Sequence, residues 1–319
     1  MKLPKFFIIL LILIITSLII CCSENSTNSP AEELNNISNP EGGYINKLTT
    51  NSEGDFFAGT PYGLFISTDR GSSWNSLTSM INTILDVKDI LITSDNQIFI
   101  ISDSFIILRS TDKGVTWTDA TTSSRTNYSI KEDLSGNLFA CGGDLFKSTD
   151  DGSSWEIFRI GAVYNICFPN DTLIIIGVQG IIGGEVSYSS DNGSTWFLTG
   201  SNINVSEFYV HNSLVFAGGL IGFEGGGGVY KSTDYGIDWE SCGFDYISVL
   251  SFTTNNQDNL FIGTSAGIYY TENEGTTWQK VLPDSFVTTL MNDSKGFLYA
   301  GTNKGTFMRS TDNGMTWHN

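Results

Sequence analysis

Hydrophobic and polar positions alternate in short stretches along most of the chain, and the pattern recurs about every 40 residues. Each unit contains an apolar run ending in Gly, such as FFAGT at 56–60 or LYAGT at 298–302. A short turn and an alternating segment follow, for example GLFIS at 63–67, then another short strand and a new apolar segment such as VTTLMND at 287–293. These segments have the length and period of β-strands, and none shows a sustained helical period. The pattern therefore predicts four short strands per unit.

One octapeptide marks every unit. The chain has seven tryptophans, and all seven end a copy of it. The copies, called boxes below, read STDRGSSW, STDKGVTW, STDDGSSW, SSDNGSTW, STDYGIDW, TENEGTTW and STDNGMTW.

The residue types of the box predict a hairpin that satisfies its own polar groups. The third residue, Asp in six copies and Asn in one, can accept hydrogen bonds from backbone N–H groups ahead of it, and the leading hydroxyl can close the turn. Gly at the fifth position allows a positive φ, and the Trp offers a large apolar surface to the core. We expect these residues to stabilise a buried turn and not to catalyse. They are Asp69, Trp74, Asp112, Trp117, Asp150, Trp155, Asp191, Trp196, Asp234, Trp239, Asn273, Trp278, Asp312 and Trp317.

Four-stranded units of this period are typical of propeller blades. The sequence thus predicts an all-β fold, a single seven-bladed β-propeller over residues 44–319, with a box hairpin in every blade.

The boxes resemble the Asp-box (BNR) repeat, S-x-D-x-G-x-T-W, and the resemblance extends from about residue 44 to the end of the sequence. This repeat occurs in sialidases, xyloglucan-degrading hydrolases, sortilin-type receptors and photosystem II assembly factors. A single seven-bladed ring is most similar to the assembly-factor class, although that class implies an arginine-rich partner surface. This chain has five arginines, of which Arg70, Arg109 and Arg309 lie in or directly before boxes. Sialidase chemistry, which needs an arginine triad, is therefore disfavoured.

The first residues indicate export. Residues 1–21 combine Lys2 and Lys5 with an Ile/Leu/Phe run that ends at Cys21-Cys22. This segment is similar to a bacterial lipoprotein signal, which implies acylation at Cys22, or less favourably at Cys21, and a cell-envelope location, with the outer membrane preferred. An uncleaved membrane anchor is the alternative.

Residues 22–43 then read as a flexible tether that leads into the ring. Within it, we expect residues 33–38 to pair with blade seven beside Trp317, because only His318 and Asn319 follow that Trp in the sequence and leave the outer strand short.

The net charge of the chain limits the classes of partner that it is expected to bind. The formal net charge is −18, so binding to nucleic acid or directly to an acidic membrane surface is disfavoured. Contact with a membrane is expected only through the N-terminal lipid, and the ring is expected to be a monomer. Hydrophobic residues make up 40% of the chain, which is enough for a core.

No cluster predicts a catalytic centre, a cofactor or a metal. His211 and His318 are far apart, and no spacing of His, Cys and Asp fits zinc. Cys141, Cys167 and Cys242 lie in apolar contexts in different blades and are expected to be buried free thiols, with one disulfide pair at most.

The face opposite the boxes carries the candidate binding residues. Loops are longer at 177–185 and 218–228, and aromatic residues come just before the innermost strands of blades one, six and seven. The candidate residues are Tyr44, Tyr62, Phe223, Glu224, Tyr246 and Phe286. Exposed loops on a rigid scaffold commonly bind ligands. The alternative is that these aromatic side chains simply cap the channel.

The favoured function is non-enzymatic binding or assembly with a protein or glycan partner in the envelope. The alternative is a glycan-cleaving hydrolase, xyloglucanase- or sialidase-like, which would need two carboxylates near the axis. Glu224 and Asp245 are the candidates for that pair.

Overall fold

The computed structural model describes residues 37–41, 43–78, 85–123, 128–179, 183–222 and 227–319. Every regular element in these ranges is a β-strand, and no helix in them could cross a membrane. The strands form seven sheets in sequence order.

Each blade is an antiparallel meander whose strands run from the channel outward. The first three blades contain β1 (Lys47–Thr50), β2 (Phe56–Thr60), β3 (Gly63–Ser67), β4 (Asn75–Ser76); β5 (Val87–Ile92), β6 (Ile98–Ser102), β7 (Ile107–Ser110), β8 (Thr118–Asp119); and β9 (Ser129–Glu132), β10 (Leu138–Cys141), β11 (Leu145–Ser148), β12 (Glu156–Arg159). Blades four and five contain β13 (Val163–Cys167), β14 (Ile174–Gln179), β15 (Gly184–Ser189), β16 (Phe197–Leu198); and β17 (Val205–His211), β18 (Leu214–Gly219), β19 (Gly228–Ser232), β20 (Glu240–Ser241). Blades six and seven contain β21 (Val249–Thr254), β22 (Leu260–Thr264), β23 (Gly267–Thr271), β24 (Gln279–Pro283); and β25 (Val287–Asn292), β26 (Leu298–Thr302), β27 (Phe307–Ser310).

The seven-bladed propeller predicted from the repeat is confirmed. In blade seven the fourth strand is reduced to a single bridge between Arg309 and His318. The meander places the turns between the second and third strands and the links between blades at one end of the ring, called the loop face. The boxes join the third and fourth strands at the other end, called the box face.

The glycine that ends many apolar runs lets neighbouring blades approach. A Cβ added at Gly59 would lie 2.9 Å from Val87 Cγ1, and one at Gly301 would lie 2.7 Å from Ile45 Cγ2. These distances are shorter than normal carbon contacts, so the first aliphatic residue of the next blade occupies the space that a side chain would need. Blade one packs on blade seven in this way, with Ile45 N–H donating to the Thr302 carbonyl at 3.0 Å.

The box hydrogen bonds follow the predicted pattern. In blade three, Asp150 Oδ1 accepts from the Ser154 N–H at 2.8 Å and from the Ser148 hydroxyl at 2.8 Å. Its Oδ2 accepts from the Ser154 hydroxyl at 2.6 Å, and Ser148 Oγ accepts from the Gly152 N–H. Asn273 takes the same place in blade six, with Oδ1 accepting from the Thr277 N–H at 2.9 Å. The turn satisfies its own donors and acceptors.

One expectation about the boxes was wrong. Asp150 is exposed, so the turn is not buried, because the carboxylate faces outward across its own hairpin while only the leading serine and the glycine are covered. A second feature was not foreseen: the fourth box residue also has a positive φ, in addition to the glycine. The fourth residues are Arg70, Lys113, Asp151, Asn192, Tyr235, Glu274 and Asn313.

The box tryptophans are half-buried except Trp317, which is buried. In three blades the indole N–H reaches the blade before it. Trp117 donates to the Leu77 carbonyl at 3.3 Å, Trp155 to that of Ala120 at 2.7 Å and Trp278 to that of Cys242 at 3.1 Å. The Trp thus links two blades as well as packing on one.

Of the segment 33–38 expected to complete blade seven, residues 33–36 lie outside the described part. Ile37 and Ser38 belong to no strand. Ile37 packs on the core between blades one and seven, and the Ser38 N–H donates to the Gly71 carbonyl of blade one at 2.7 Å. The next residue, Asn39, accepts at Oδ1 from the Phe307 N–H of blade seven at 2.8 Å. The predicted leader, residues 1–21, also lies outside the described part.

Candidate functional site at the channel mouth

The candidate residues predicted on the loop face are not gathered into one cluster. Tyr44, Tyr62, Tyr246 and Phe286 are all exposed, with Tyr246 76% accessible. In the described ranges none of these four rings contacts another ring. Phe223 and Glu224 lie outside the described residues.

The channel is lined at one level by one residue from the innermost strand of each blade. These ring residues are Lys47, Asp89, Ser129, Asn165, Glu207, Ser251 and Thr289, which precede the aliphatic or aromatic core residue of each strand. Four of them accept a hydrogen bond from the innermost strand of the next blade. The pairs are Asp89 with Ile130 N–H, Glu207 with Phe252 N–H, Ser251 with Leu290 N–H and Thr289 with Leu48 N–H.

Lys47 and Glu207 form an ion pair between blades one and five. Lys47 Nζ lies 3.1 Å from Glu207 Oε1, and the two side chains are 24% and 15% exposed. The Glu207 carboxylate raises the pKa of the Lys47 ammonium above its usual range, although burial acts in the opposite direction. This pair ties together blades that are not neighbours in the ring.

The carboxylates near the axis are therefore already engaged. Both oxygens of Asp89 accept backbone N–H groups, from Ile90 at 3.0 Å and Ile130 at 3.1 Å. Glu207 accepts from Lys47 and from the backbone of Phe252 at 3.1 Å. A general acid needs a proton to donate and access to substrate, and these two groups are acceptors built into the ring. Asp245, the other candidate acid, is exposed in the link before blade six.

The residue just before each ring residue differs between two groups of blades at the loop-face end of the channel. In blades one, five and seven it is Asn46, Ser206 or Thr288, whose side chain donates to the first carbonyl of the next blade's inner strand segment. In blades two, three and four the same position holds Lys88, Tyr128 and Tyr164. The larger side chains lie at the loop-face end of the channel.

Phe105, Tyr128 and Tyr164 form a row of three rings across these blades. The centroids of Phe105 and Tyr128 are 5.3 Å apart and meet edge to face, and those of Tyr128 and Tyr164 are 5.7 Å apart. Phe105 has φ 61°, a conformation that bulky residues rarely adopt, and its N–H donates to the Ser102 carbonyl at 2.9 Å.

Sequence reasoning missed this row. The available signal was Tyr128, an aromatic residue just before an innermost strand, the same signal that was used for blades one, six and seven. Phe105 could not have been found, because its ring reaches the row only through the left-handed turn between β6 and β7.

The row can bind but has no reactive group of its own. Aromatic rings offer an apolar surface to a sugar ring or a side chain, and the tyrosine hydroxyls can add hydrogen bonds. No group of His, Cys, Asp and Glu in the described ranges could hold a metal ion. His211 lies on the box-face turn beside Asp258 instead.

The three cysteines of the ring are free thiols. Cys141 is buried, whereas Cys167 and Cys242 are only partly buried, and Cys242 follows β20 and is not within a strand. Burial raises the pKa of the Cys141 and Cys167 thiols, which keeps them protonated and unreactive.

Comparison with known proteins gives the fold. No family model and no curated protein matches the sequence. Among solved structures, the chain is similar to the extracellular domain of the hybrid two-component system BT4673 of B. thetaiotaomicron (TM-score 0.69, 16% identity, 86% of this chain and 39% of that one). It is also similar to the GH74 enzyme of Niastella koreensis (TM-score 0.72, 18% identity, 89% and 55%).

A third similar structure is YCF48 bound to D1 peptide (TM-score 0.65, 15% identity), in which 86% of this chain matches 95% of the other. The chain spans about two fifths of the BT4673 domain and just over half of the GH74 enzyme. These similarities show the seven-bladed propeller, which binding proteins and glycan hydrolases share.

Proposed function

We propose that this chain is a lipid-anchored, extracytoplasmic propeller of the Asp-box type that binds a protein or glycan partner without catalysis. The observation that carries the proposal is the row of Phe105, Tyr128 and Tyr164 on the loop face. Tyr128 and Tyr164 of the row hold the position that Asn46, Ser206 and Thr288 hold in blades one, five and seven. Lys88 holds the same position in blade two, and its ammonium is paired with Asp86.

The hydrolase alternative has less support. Glycosidases use two carboxylates, one of which must hold a proton. Asp89 and Glu207 lie near the axis, but their oxygens are occupied by backbone N–H groups and by Lys47. The similarity to a GH74 enzyme covers about half of that enzyme and carries no residue role to this chain.

Location and anchoring rest on the leader and on the relatives. The signal-like residues 1–21 and Cys22 support export and acylation, with the residues between Cys22 and Ile37 as the tether to an outer-membrane lipid. The similarity to extracellular domains of Bacteroides proteins supports an extracytoplasmic ring. Mass spectrometry of the mature N-terminus should show an acylated Cys22 with no residue before it, and a retained Met1 would contradict the anchor.

The binding proposal is tested by affinity capture from solubilised envelope followed by reconstitution. The full-length chain and a Tyr128→Ala/Tyr164→Ala variant serve as baits, and captured proteins and glycans are identified by mass spectrometry. Each enriched partner is then titrated against both baits. We expect the double variant to bind at least about tenfold more weakly, since two aromatic contacts are removed.

The matched control is Tyr235→Ala, because Tyr235 is an exposed tyrosine on the box face. It should bind like the unaltered chain. Equal loss in the control and in the double variant would contradict a loop-face site, and turnover of a glycan by the unaltered chain would favour the hydrolase.

A further inference from the structure

A pocket of about 200 Å³ opens on the box face between blades three and four. Its walls include Phe139, Phe158 and Phe168, and its polar groups include Asn137, Lys147 and Asn192. The pocket lies at the opposite end of the ring from the aromatic row and is independent of the function proposed above.

The preceding groove, between blades two and three, shows what normally occupies this position. Arg109 crosses that groove: its Nε donates to Gln97 Oε1 at 2.7 Å, and its NH2 group lies 3.6 Å from Asp151 Oδ2. Its guanidinium also lies 6.0 Å from the centre of the Phe99 ring. A long cation, a long amide and a carboxylate thus join the two blades.

All three positions change in the next groove. Lys147 replaces Arg109 directly before its box, Asn137 replaces Gln97 directly before the second strand, and Asn192 replaces Asp151 as the fourth box residue. Lysine lacks the planar guanidinium of arginine, asparagine is one methylene shorter than glutamine, and the asparagine at the fourth box position is neutral where the preceding groove has an aspartate. The Asn137 amide donates to Asp133 Oδ2 at 2.8 Å, as the Gln97 amide donates to Asp95 Oδ2 at 2.7 Å, but the bond from the cation that Gln97 Oε1 accepts has no counterpart at Asn137 among the described residues. Asn137, Lys147 and Asn192 all line the pocket.

Lys147 makes two aromatic contacts and, among the described residues, forms no ion pair. Its ammonium lies 5.5 Å from the centre of the Phe139 ring and 5.6 Å from that of Phe158. Lys147 pairs with Glu156 in the sheet register, as Lys231 pairs with Glu240 in blade five. Lys231 forms an ion pair with Glu240 at 3.0 Å, but in the described residues no carboxylate lies within 4.0 Å of Lys147 Nζ.

Two acids, Asp133 and Asp171, also line the pocket, but neither carboxylate lies within 4.0 Å of Lys147 Nζ. Both oxygens of Asp133 accept hydrogen bonds within their own turn, from the N–H groups of Ser135 and Asn137 and from the Asn137 amide. Asp171 is exposed in the turn between β13 and β14, where water screens its charge.

We propose that this pocket binds a small organic carboxylate that carries an apolar ring or chain. The carboxylate would supply to Lys147 the charge that Asp151 supplies to Arg109, and the apolar part would contact Phe158 and Phe168. A half-buried ammonium gains a strong, charge-assisted hydrogen bond from such a partner. The volume is sufficient, because a cavity of about 150 Å³ can hold a benzene ring.

Benzoate is the probe, and benzyl alcohol is its neutral counterpart of similar size. Saturation-transfer NMR titrations of the purified full-length chain should show benzoate binding, with benzyl alcohol at least about tenfold weaker. Lys147→Met should reduce benzoate binding by a similar factor. So should Asn192→Asp, which introduces the countercharge found in the preceding groove and competes with the ligand.

Lys231→Met is the matched control, since it removes a lysine from the same register position in a blade where that lysine is paired internally. It should leave benzoate binding unchanged, and the thermal unfolding of every variant confirms folding. Asn192→Asp keeps a residue type that blade three already accepts at this left-handed position, so it tests the site even where Lys147→Met unfolds the chain. Absence of benzoate binding, equal binding of benzyl alcohol, or full binding in a folded Asn192→Asp variant would overturn the proposal.

Discussion

The indole nitrogen of Trp74 lies 3.0 Å from the carbonyl oxygen of Ser38, a residue 36 positions earlier in the chain. In blades three and six the corresponding indole donates to Ala120 or Cys242, the third residue after the preceding box tryptophan. Ser38 therefore supplies to Trp74 of blade one the carbonyl acceptor that, in blades three and six, comes from the preceding blade. Asn39, the next residue, corresponds in the same way to Thr121, the residue after Ala120. Asn39 Oδ1 accepts from the Phe307 N–H, and Thr121 Oγ1 accepts from the Ile107 N–H.

The first prediction is that Asn39 stabilises the closure of the ring. Asn39→Ala leaves the buried Phe307 N–H without its acceptor, which should cost about 1–3 kcal/mol of unfolding free energy. Hydrogen exchange should show a faster Phe307 amide in the variant. Asn39→Ser, which keeps a side-chain oxygen, is the control. Unchanged protection of Phe307 in the alanine variant would mean that this contact does not form in solution.

The second prediction concerns acid stability. Hydrogen bonds from the Ser154 hydroxyl, the Ser154 N–H and the Ser148 hydroxyl lower the pKa of Asp150 from 3.8 to about 2. Because the folded-state pKa is the lower one, this contribution is present above pH 3.8 and is lost as the pH falls toward 2. Asp150→Ala should lower the Tm at pH 7 and flatten its decline in that acid window.

Asp150→Asn separates the contribution of the hydrogen-bond acceptor from that of the negative charge, because asparagine keeps the side-chain oxygen and carries no charge. Asn273 already fills this position in blade six with its backbone hydrogen bond intact. The Asn variant should therefore keep more of the Tm than the Ala variant while showing the same flattened acid dependence. An Ala variant as stable as the unaltered chain at pH 7 would show that the box carboxylate contributes nothing to folding.

The third prediction concerns the ion pair across the channel. Lys47→Met leaves Glu207 without its cation in a mostly buried position, and we expect a loss of about 2–4 kcal/mol in urea unfolding at pH 7. Lys47→Met/Glu207→Gln should recover part of this loss, since no uncompensated charge remains. The raised pKa of Lys47 keeps the stabilisation in place from neutral pH to beyond the ordinary lysine range. Equal stability of the two variants would indicate that solvent already screens the pair.

The fourth prediction concerns the outer edge of blades three and four. Ile157, Ile160, Phe197 and Leu198 are exposed there, with Ile160 80% accessible, and the Arg159 guanidinium lies 5.2 Å from the Trp196 ring of the next blade. The two-residue outer strands of blades one, two and five are polar by contrast. Exposed apolar edge strands promote association.

Ile157→Lys/Phe197→Lys should therefore raise the concentration at which the protein stays monomeric in analytical ultracentrifugation, with little change in Tm. Val115→Lys, a change at an exposed apolar residue within a box, is the control and should leave association unchanged. Association that is the same in all three proteins would assign it to another surface.

The sequence predicted the ring well because each blade repeats a local pattern. The strands at 56–60 and 298–302 match the predicted apolar runs residue for residue, and the box turns make the expected hydrogen bonds. These features depend on neighbours a few residues apart, which is the range that sequence periodicity reports.

The candidate sites were less accessible from sequence because they combine residues of different blades. The contact of Tyr128 with Tyr164 and the pair of Lys47 with Glu207 depend on how blades lie around the axis. The pocket is lined by three replaced residues in two adjacent blades, which become visible only when blade three is compared with blade two. The exposure of Asp150 was misjudged because hydrogen-bonding capacity does not show which side of a hairpin faces water.

The left-handed fourth box residue has a consequence for engineering the ring. Non-glycine side chains resist this backbone conformation, by about 1–2 kcal/mol, and Asn resists it less than most. Asn192 and Asn313 already use the favourable residue type, whereas Tyr235 and Glu274 do not. The turns belong to separate blades, so improvements made at them should add independently. A thermostable scaffold could thus be assembled one hairpin at a time, without altering the loop face of the ring.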